Sequence, residues 1–247
     1  MLPVLIVLLV AAAMFAAERL RPGRTLPRVH RFLARALVLN AVQIGSVALA
    51  GRLLDPWLRA HRPWSADQLG LIGGALVGYV VITFVYYWWH RARHEVPFLW
   101  RWFHQLHHSP RRIEILTSFY KHPFELAVNA LLSSAILYLV VGVGPDAATI
   151  AVTMTGVAEL FYHWNVATPR WVGVLIQRPE AHAVHHQAGL HSFNFADLPL
   201  WDALFGTWRD ARTWSGECGF SEGEDELARM LIGVDVNRAP SADPASK

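Results

Sequence analysis

The sequence predicts an all-α integral membrane protein with about four to five transmembrane helices and a cytoplasmic, histidine-rich helical cap. Two observations lead to this prediction. Hydrophobic residues make up 53% of the 247 residues and charged residues only 17%, whereas soluble domains usually contain about 25% charged residues. The chain also alternates between long apolar runs and segments rich in arginine and histidine, which is typical of helices that cross a bilayer.

Five apolar runs are candidates for these helices. The first lacks the basic segment that precedes the apolar part of a secretory signal, so a retained membrane helix is expected. The third is the longest and ends in four consecutive aromatic residues, and a Gly-Pro-Asp turn signal separates the fourth from the fifth. The fifth is short for a span, which needs about 20 residues, and this leaves the count at four to five. The runs cover residues 2–17, about 36–54, 69–89, 124–143 and 147–161.

The distribution of arginine predicts the orientation of the helices. The linker at residues 18–35 carries six arginines, and positive charge favours the cytoplasmic side of a membrane. When successive helices alternate in direction from this linker, residues 90–122 and residues 170–247 fall on the cytoplasmic side. The two histidine-rich regions are therefore expected to share one face of a multi-pass membrane protein.

The chain is expected to have three parts. Residues 1–68 contain the first membrane helices and their linkers, residues 69–212 contain the later helices and the histidine motifs, and residues 213–247 form a short tail. Within this tail, residues 222–232 predict a short amphipathic helix. Residues 237–247, rich in Ala, Pro, Ser and Asp, predict disorder at the end of the chain.

Charge and cysteine content exclude several classes of function. The net charge of +3 comes from arginines spread between the apolar runs, which indicates flanking of a membrane and not a nucleic-acid partner. The single cysteine, Cys218, excludes an intrachain disulfide framework and a cysteine-based metal site.

Eight of the 13 histidines fall in three motifs, HRARH, HQLHH and HAVHH. Residues three or four apart share one face of a helix, so each motif presents two or three imidazoles on one side. Neutral imidazole is a good ligand for iron, zinc or copper, and eight histidines exceed what one tetrahedral zinc ion needs. The motifs therefore predict two metal ions, held by His90, His94, His104, His107, His108, His182, His185 and His186.

Other polar residues near the motifs are further candidates. His163 lies at the cytoplasmic end of the fifth run and is predicted to be a ninth ligand, since ionisable groups at that depth are usually functional. For His122 three roles stay open: a metal ligand, a group behind the ligands, or an interfacial residue. Glu159 either binds metal, orients a ligand or pairs with an arginine. His30 and His61 are expected to bind no metal.

The order HxxxH, HxxHH, HxxHH resembles the fatty acid hydroxylase superfamily, in particular its sterol desaturase branch, over residues 87–208. Departures from the family pattern are Arg178 in place of Thr, Ala183 in place of a basic residue and Ala196 in place of Gly, and none of them removes a histidine. The strings that resemble the family elements HHS, HPxE, HxN, NYG and WDxLFGT lie at residues 107–109, 122–125, 163–165, 194–196 and 201–207.

The resemblance implies a non-haem di-iron site that faces the cytoplasm, within a catalytic domain of residues 69–212. Two iron ions (Fe2+/Fe3+), with O2 as co-substrate and two electrons from a separate donor protein, would hydroxylate or desaturate a C–H bond of a lipid in the membrane. Sterol-like, acyl, ether-lipid, carotenoid and sphingoid substrates all fit. Groups that hold the imidazoles by their second nitrogens are expected among Glu180, Asn194, Asp197 and Asp202, with a purely structural role as the alternative for Asp202.

The alternative is a membrane metal-binding protein without oxygenase activity: a metal carrier, a haem protein or a zinc hydrolase. Carrier and haem ligands normally lie inside membrane spans, whereas nearly all the paired histidines follow the ends of the apolar runs. A zinc hydrolase needs fewer histidines and usually a carboxylate base beside them, as in HExxH, a motif that this sequence lacks.

Overall fold

The computed structural model describes residues 2–211 and 216–237, and within these residues every regular element is a helix. No strand is present in this part of the chain, where the only β contact is an isolated bridge between Gln187 and Cys218. The predicted all-α class is therefore confirmed. Disorder was predicted for residues 237–247, and all of these except residue 237 lie outside the described residues.

Eleven α-helices occur in the described residues, together with short 3-10 turns and two π-helical segments. The π-helical segments are Trp100–His104 and Ile136–Val141, and a 3-10 turn at Arg170–Val174 lies between α8 and α9. The α-helices are α1 (Leu2–Leu20), α2 (Phe32–Leu53), α3 (Asp55–Ala60), α4 (Gly70–Glu95), α5 (Pro97–Leu99), α6 (Gln105–His108), α7 (Pro123–Ala135), α8 (Pro145–Tyr162), α9 (Pro179–His185), α10 (Pro199–Leu204) and α11 (Leu227–Leu231).

Each of the five apolar runs forms a helix, namely α1, α2, α4, α7 with its π-helical extension, and α8. Among the described residues, three helical segments are long and apolar enough to cross a membrane: Phe32–Ala60, Asp67–Glu95 and Pro123–Val141. Their mean hydropathy lies between 1.6 and 2.0. The structure thus supports a membrane protein, and the larger count of four to five spans stays a prediction.

Small residues allow α4 to pack closely against its neighbours. A Cβ atom added at Gly78 would lie 2.7 Å from Leu137 Cδ2 and 3.3 Å from the Cβ atom of Ala151 on α8. One turn earlier, a Cβ atom at Gly74 would lie 3.2 Å from that of Ala147. Small residues spaced four apart let helix backbones approach each other in a membrane. This packing holds α4, which carries the first histidine motif at its C-terminal end, against α8 and the Ile136–Val141 segment.

A second core lies under the second histidine motif and includes part of the C-terminal tail. Leu106, Met230 and Val236 are fully buried there. The Gln105 side chain donates to the Val234 carbonyl at 2.8 Å, which ties this tail to the motif. A helix was predicted over residues 222–232, and the structure has the shorter helix α11 there. Gly233 follows it with a φ of +73°, a conformation that ends helices.

Helix ends and breaks position the histidine motifs. The last turns of α4 continue past the apolar run and carry His90 and His94, while His104 ends a π-helical segment. Such segments are rare and occur frequently at functional sites. His163 is the C-cap residue of α8. The third motif lies on α9, whose first residue is Pro179, a residue suited to a helix start.

Candidate metal centre

Nine histidines come together in two adjacent groups. In each group, one ring nitrogen per histidine lies within 4.8 Å of the corresponding nitrogens of the others. The five-histidine group is His90, His94, His104, His108 and His185, and the four-histidine group is His107, His163, His182 and His186. These are the eight histidines of the motifs together with His163, so the structure places all nine predicted ligands where two metal ions could be held.

The two HH pairs divide between the groups. His107 belongs to the four-histidine group and its neighbour His108 to the five-histidine group, and His186 and His185 divide in the same way. The rings of His108 and His186 stack across the boundary with their centroids 4.2 Å apart. The two groups are therefore in direct contact, as a site for two neighbouring metal ions requires.

The spacing of the ring nitrogens fits a metal site. In the four-histidine group, the Nε2 atom of His163 lies 3.2 Å from the Nε2 atoms of His107 and His182. The Nε2 atoms of His182 and His186 are 3.1 Å apart. Imidazole nitrogens bind zinc at about 2.0–2.1 Å, which at angles of about 90–109° puts neighbouring nitrogens about 3 Å apart. The spacing matches this expectation.

Backbone carbonyls fix the tautomer of three rings. The Nδ1 atoms of His90, His163 and His185 lie 2.6, 2.9 and 2.8 Å from the carbonyl oxygens of Phe195, Glu159 and Phe193. A carbonyl only accepts hydrogen bonds, so Nδ1 carries the hydrogen and Nε2 keeps its lone pair in the neutral ring. The Nε2 atoms of His90 and His185 are buried without a protein partner among the described residues. They are thus free to bind a metal.

Burial favours the neutral form of these rings. Burial lowers the pKa of His185 to about 3. For His107, His108 and His186, burial and then the neighbouring imidazoles hold the pKa well below its usual range. Metal binding requires a deprotonated imidazole, and the cluster is therefore prepared for a metal near neutral pH.

A buried ion pair that sequence reasoning missed holds the second motif. Arg93 and Glu125 are both buried and paired with each other. Both carboxylate oxygens of Glu125 lie 3.4 Å from the Nδ1 atom of His104, and Arg93 Nη1 lies 3.0 Å from the same atom. A guanidinium only donates, so Arg93 can bond to Nδ1 only when Nδ1 carries no hydrogen. When Nε2 of His104 binds a metal, Nδ1 carries the hydrogen, and the Glu125 carboxylate can accept it. The HPxE string contains Glu125, but the sequence does not show which ring it meets.

His191 is a tenth histidine beside the site, and sequence reasoning missed it. Its ring centroid lies 4.9 Å from that of His108 and 5.7 Å from that of His94. Its Nδ1 atom lies 3.4 Å from the carbonyl oxygen of His185, and it belongs to neither group. His191 follows the third motif by five residues in a loop, so no helical spacing identified it.

His122 lies outside both groups. Its Nδ1 atom accepts a hydrogen bond from the backbone N–H of Phe124 at 3.1 Å, which caps the start of α7. Its Nε2 atom lies 3.3 Å from the carbonyl oxygen of Leu231. The structure thus gives His122 the position of a helix cap at the edge of the second core, and the three roles considered from the sequence stay predictions.

The acidic candidates bind backbone and side-chain partners outside the imidazole groups. The Glu159 side chain pairs with Lys121. The backbone carbonyl of Glu159, and not its side chain, is the hydrogen-bond partner of His163 Nδ1. Glu180 accepts hydrogen bonds from the backbone N–H and hydroxyl of Thr168, each at 2.7 Å, and pairs with Arg178.

The loop after the third motif contains the remaining candidates. The Asn194 side chain donates to the Ala181 carbonyl and accepts from the Arg209 N–H. Asp202 accepts hydrogen bonds from the backbone N–H groups of Phe195 and Ala196 at 2.8 and 2.9 Å. These bonds hold the loop, which is a structural role for Asp202. Burial raises the pKa of Asp197 to about 7.

Comparison with known proteins identifies the family. The fatty acid hydroxylase family model matches residues 75–207. Ornithine lipid hydroxylase OlsE of Rhizobium tropici is 29% identical over 77% of this chain and 59% of its own length. Alkylglycerol monooxygenase of Homo sapiens is 26% identical over 51% of this chain and 28% of its own length. Sphingolipid C4-hydroxylase sur2 of Schizosaccharomyces pombe is 27% identical over 49% of this chain and 43% of its own length.

The matched parts cover less than two thirds of each of these relatives. No solved structure matches the chain. The family model spans most of the third apolar run, all three histidine motifs and the WDALFGT string, which is more than half of the chain. The chain belongs to the fatty acid hydroxylase family.

Proposed function

We propose that this chain is a membrane-bound oxygenase that hydroxylates or desaturates a lipid at a site of two iron ions. Family membership and hydroxylase and monooxygenase relatives support an oxidoreductase that acts on lipids. The observation that carries the di-iron part of the proposal is the pair of adjacent histidine groups. A single tetrahedral zinc site would use only four of these nine side chains.

The two groups would each hold one iron ion through ring nitrogens. Together the ions would supply the oxidation of an unactivated C–H bond by O2 with two electrons. The other tasks fall to the protein. The carbonyls of Phe195, Glu159 and Phe193 orient His90, His163 and His185, and Glu125 lies in reach of His104. Burial of these rings excludes bulk water from the reacting centre.

The substrate that we propose is a membrane lipid. The names of three relatives specify an ornithine lipid, an alkylglycerol and a sphingolipid, which share a long hydrocarbon chain. The five-histidine group begins with His90 and His94, at the end of the Asp67–Glu95 candidate span. A hydrocarbon chain in the bilayer could therefore reach the site without crossing water.

The proposed setting is a multi-pass membrane protein with the histidine groups on the cytoplasmic side. The arginine-rich linker between α1 and α2 supports this orientation because positively charged loops favour the cytoplasm. A separate protein would deliver the two electrons, since the histidine motifs account only for metal binding.

The test compares lipids from cells that express the native chain, the His107→Ala variant or the His185→Ala variant under 18O2. We expect a lipid carrying one 18O atom, or a lipid that has lost two hydrogens, only with the native chain. His30→Ala is the matched control because His30 is exposed and lies in neither group. Unchanged lipids in native cells, or full product in the His185→Ala cells, would refute the proposal.

A further inference from the structure

The short helix after the third motif packs against the side of α4, well before the end of that helix. The Trp201 indole N–H donates to the Thr83 hydroxyl at 3.0 Å, and the Trp201 ring lies 5.1 Å from that of Phe84. One turn later, the Phe205 ring lies 4.8 Å from that of Trp88. Helix α10 therefore lies beside Thr83–Trp88 and not beyond the last turn of α4.

This position is inside a candidate membrane span. The Asp67–Glu95 segment is the most apolar of the three, and Thr83 lies 12 residues before its end. The apolar run of α4 ends at residue 89, and an α-helix rises 1.5 Å per residue, so this contact lies about 9 Å inside the end of the run along the axis. If α4 crosses a bilayer, α10 lies at the depth of the bilayer and not in the cytoplasm.

The outer side of this region exposes large apolar side chains. The 3-10 turn at Arg170–Val174 contacts α10, and the two elements together form what we name the lateral surface. Its residues are each between 39% and 79% exposed. Soluble monomers rarely leave such contiguous apolar area in water, since exposure costs about 25 cal/mol per Å2. The lateral surface consists of Trp171, Val174, Leu175, Leu200, Leu204 and Phe205.

We propose that the lateral surface is embedded in the lipid bilayer. It continues the exposed side of α4, where Phe84 and Trp88 are themselves exposed and touch α10. Two exposed arginines flank it in the chain: Arg170 precedes Trp171, and Arg209 follows Phe205 by four residues. Arg170 pairs with Asp210, and a long arginine side chain can also reach lipid phosphates while its apolar neighbours stay in hydrocarbon. The proposal rests on the membrane setting in the proposed function but on no metal or reaction.

The embedded surface would bring lipids close to the five-histidine group. Asp202 on α10 accepts hydrogen bonds from the backbone of Phe195 and Ala196. The carbonyl of Phe195 holds His90. The helix that contacts lipid and the loop that orients the first motif are thus one unit, and acyl chains beside α10 would lie next to the site.

Spin labelling in vesicles tests this proposal. Val174→Cys and Leu204→Cys variants would carry a nitroxide in phosphatidylcholine–phosphatidylglycerol vesicles, and Ser221→Cys is the matched control on the exposed cap. Collision rates with O2 and with a polar nickel chelate are then measured. The native Cys218 is buried, and burial raises its pKa to about 12, so it reacts slowly with the label. The unmutated protein gives the background.

We expect O2 collisions to exceed nickel collisions at Val174 and Leu204 and the reverse at Ser221, because O2 concentrates in hydrocarbon and the polar chelate stays in water. Nickel access at Val174 and Leu204 equal to that at Ser221 would overturn the proposal. Spin–spin broadening that disappears when unlabelled protein is added would also overturn it, because a second copy would then cover the surface. A label at Leu76→Cys on α4 shows separately whether α4 itself contacts lipid.

Discussion

The Nδ1 atom of His90 lies 2.6 Å from the backbone carbonyl oxygen of Phe195. This hydrogen bond joins the first histidine motif to the loop after the third motif, 105 residues later. It fixes which nitrogen of His90 is free, since the carbonyl can only accept. The geometry of the five-histidine group therefore depends on the position of a loop outside the three motifs.

Asp202 holds this loop, and its substitution should weaken the site. Asp202 accepts from the N–H groups of Phe195 and Ala196 and from the Thr207 hydroxyl. In Asp202→Asn an amide NH2 replaces one acceptor oxygen and leaves a buried donor unsatisfied, which costs about 1–3 kcal/mol. We expect a lower free energy of unfolding in detergent and a lower metal content. The control Asp67→Asn breaks an exposed ion pair with Arg62 and should change little; equal losses would contradict this role.

Glu125 balances a buried positive charge. Glu125→Gln would leave Arg93 buried without its paired charge, and breaking a buried pair in this way typically costs about 3–5 kcal/mol. Thermal unfolding of the metal-free protein measures this loss apart from metal binding. Glu95→Gln is the matched control, because Glu95 and Arg91 form an exposed pair that contributes little. A Glu125→Gln variant as stable as the Glu95→Gln variant would show that the pair is unimportant.

Gly78 allows the close contact of α4 with its neighbours. In Gly78→Val the new side chain would meet Leu137 and Ala151, and overpacking of this kind costs about 1–3 kcal/mol. The measurement is the temperature of unfolding in detergent. Gly45→Val on α2 provides the comparison, since a Cβ atom at Gly45 meets nothing within 4 Å. A similar unfolding temperature for the two variants would mean that this contact does not limit packing.

His191 borders the five-histidine group without belonging to it. We expect His191→Phe to keep the full metal content, because the phenyl ring fills the same space beside His94 and His108. His185→Phe should lose metal from the five-histidine group. Metal analysis of the two purified variants decides between a neighbour and a ligand: loss of metal from His191→Phe would make His191 a tenth ligand.

The helical class could be predicted from the sequence because it depends on local patterns. The apolar runs of about 20 residues and the three- and four-residue spacing of histidines are both visible in the chain. The nine histidines that the structure brings together were predicted from these patterns, His163 from its place at the end of the fifth apolar run. His163 is 19 residues from His182 and nevertheless 3.2 Å away between Nε2 atoms. Their division into groups of five and four was not predicted, because it depends on which way each member of an HH pair points.

Long-range contacts could not be predicted from one sequence. The pairing of Arg93 with Glu125 joins α4 to α7, and the carbonyls that hold the rings have no side-chain signature. Polar residues near the third motif were expected to orient imidazoles, but Glu180 and Asn194 bind Thr168, Ala181 and the Arg209 backbone. The loop conformation decides such partners, and Asn194 reaches them with a φ of +59°.

Metal content per chain is the most direct test of the account. The purified protein would be loaded with Fe2+ without oxygen, desalted and analysed for iron, zinc and protein. We predict two irons per native chain and one in each of two double variants, His90→Ala with His94→Ala and His182→Ala with His186→Ala, because each double variant removes two nitrogens from only one group. One zinc ion and no iron in the native chain, or two irons retained in both double variants, would contradict the two-iron site.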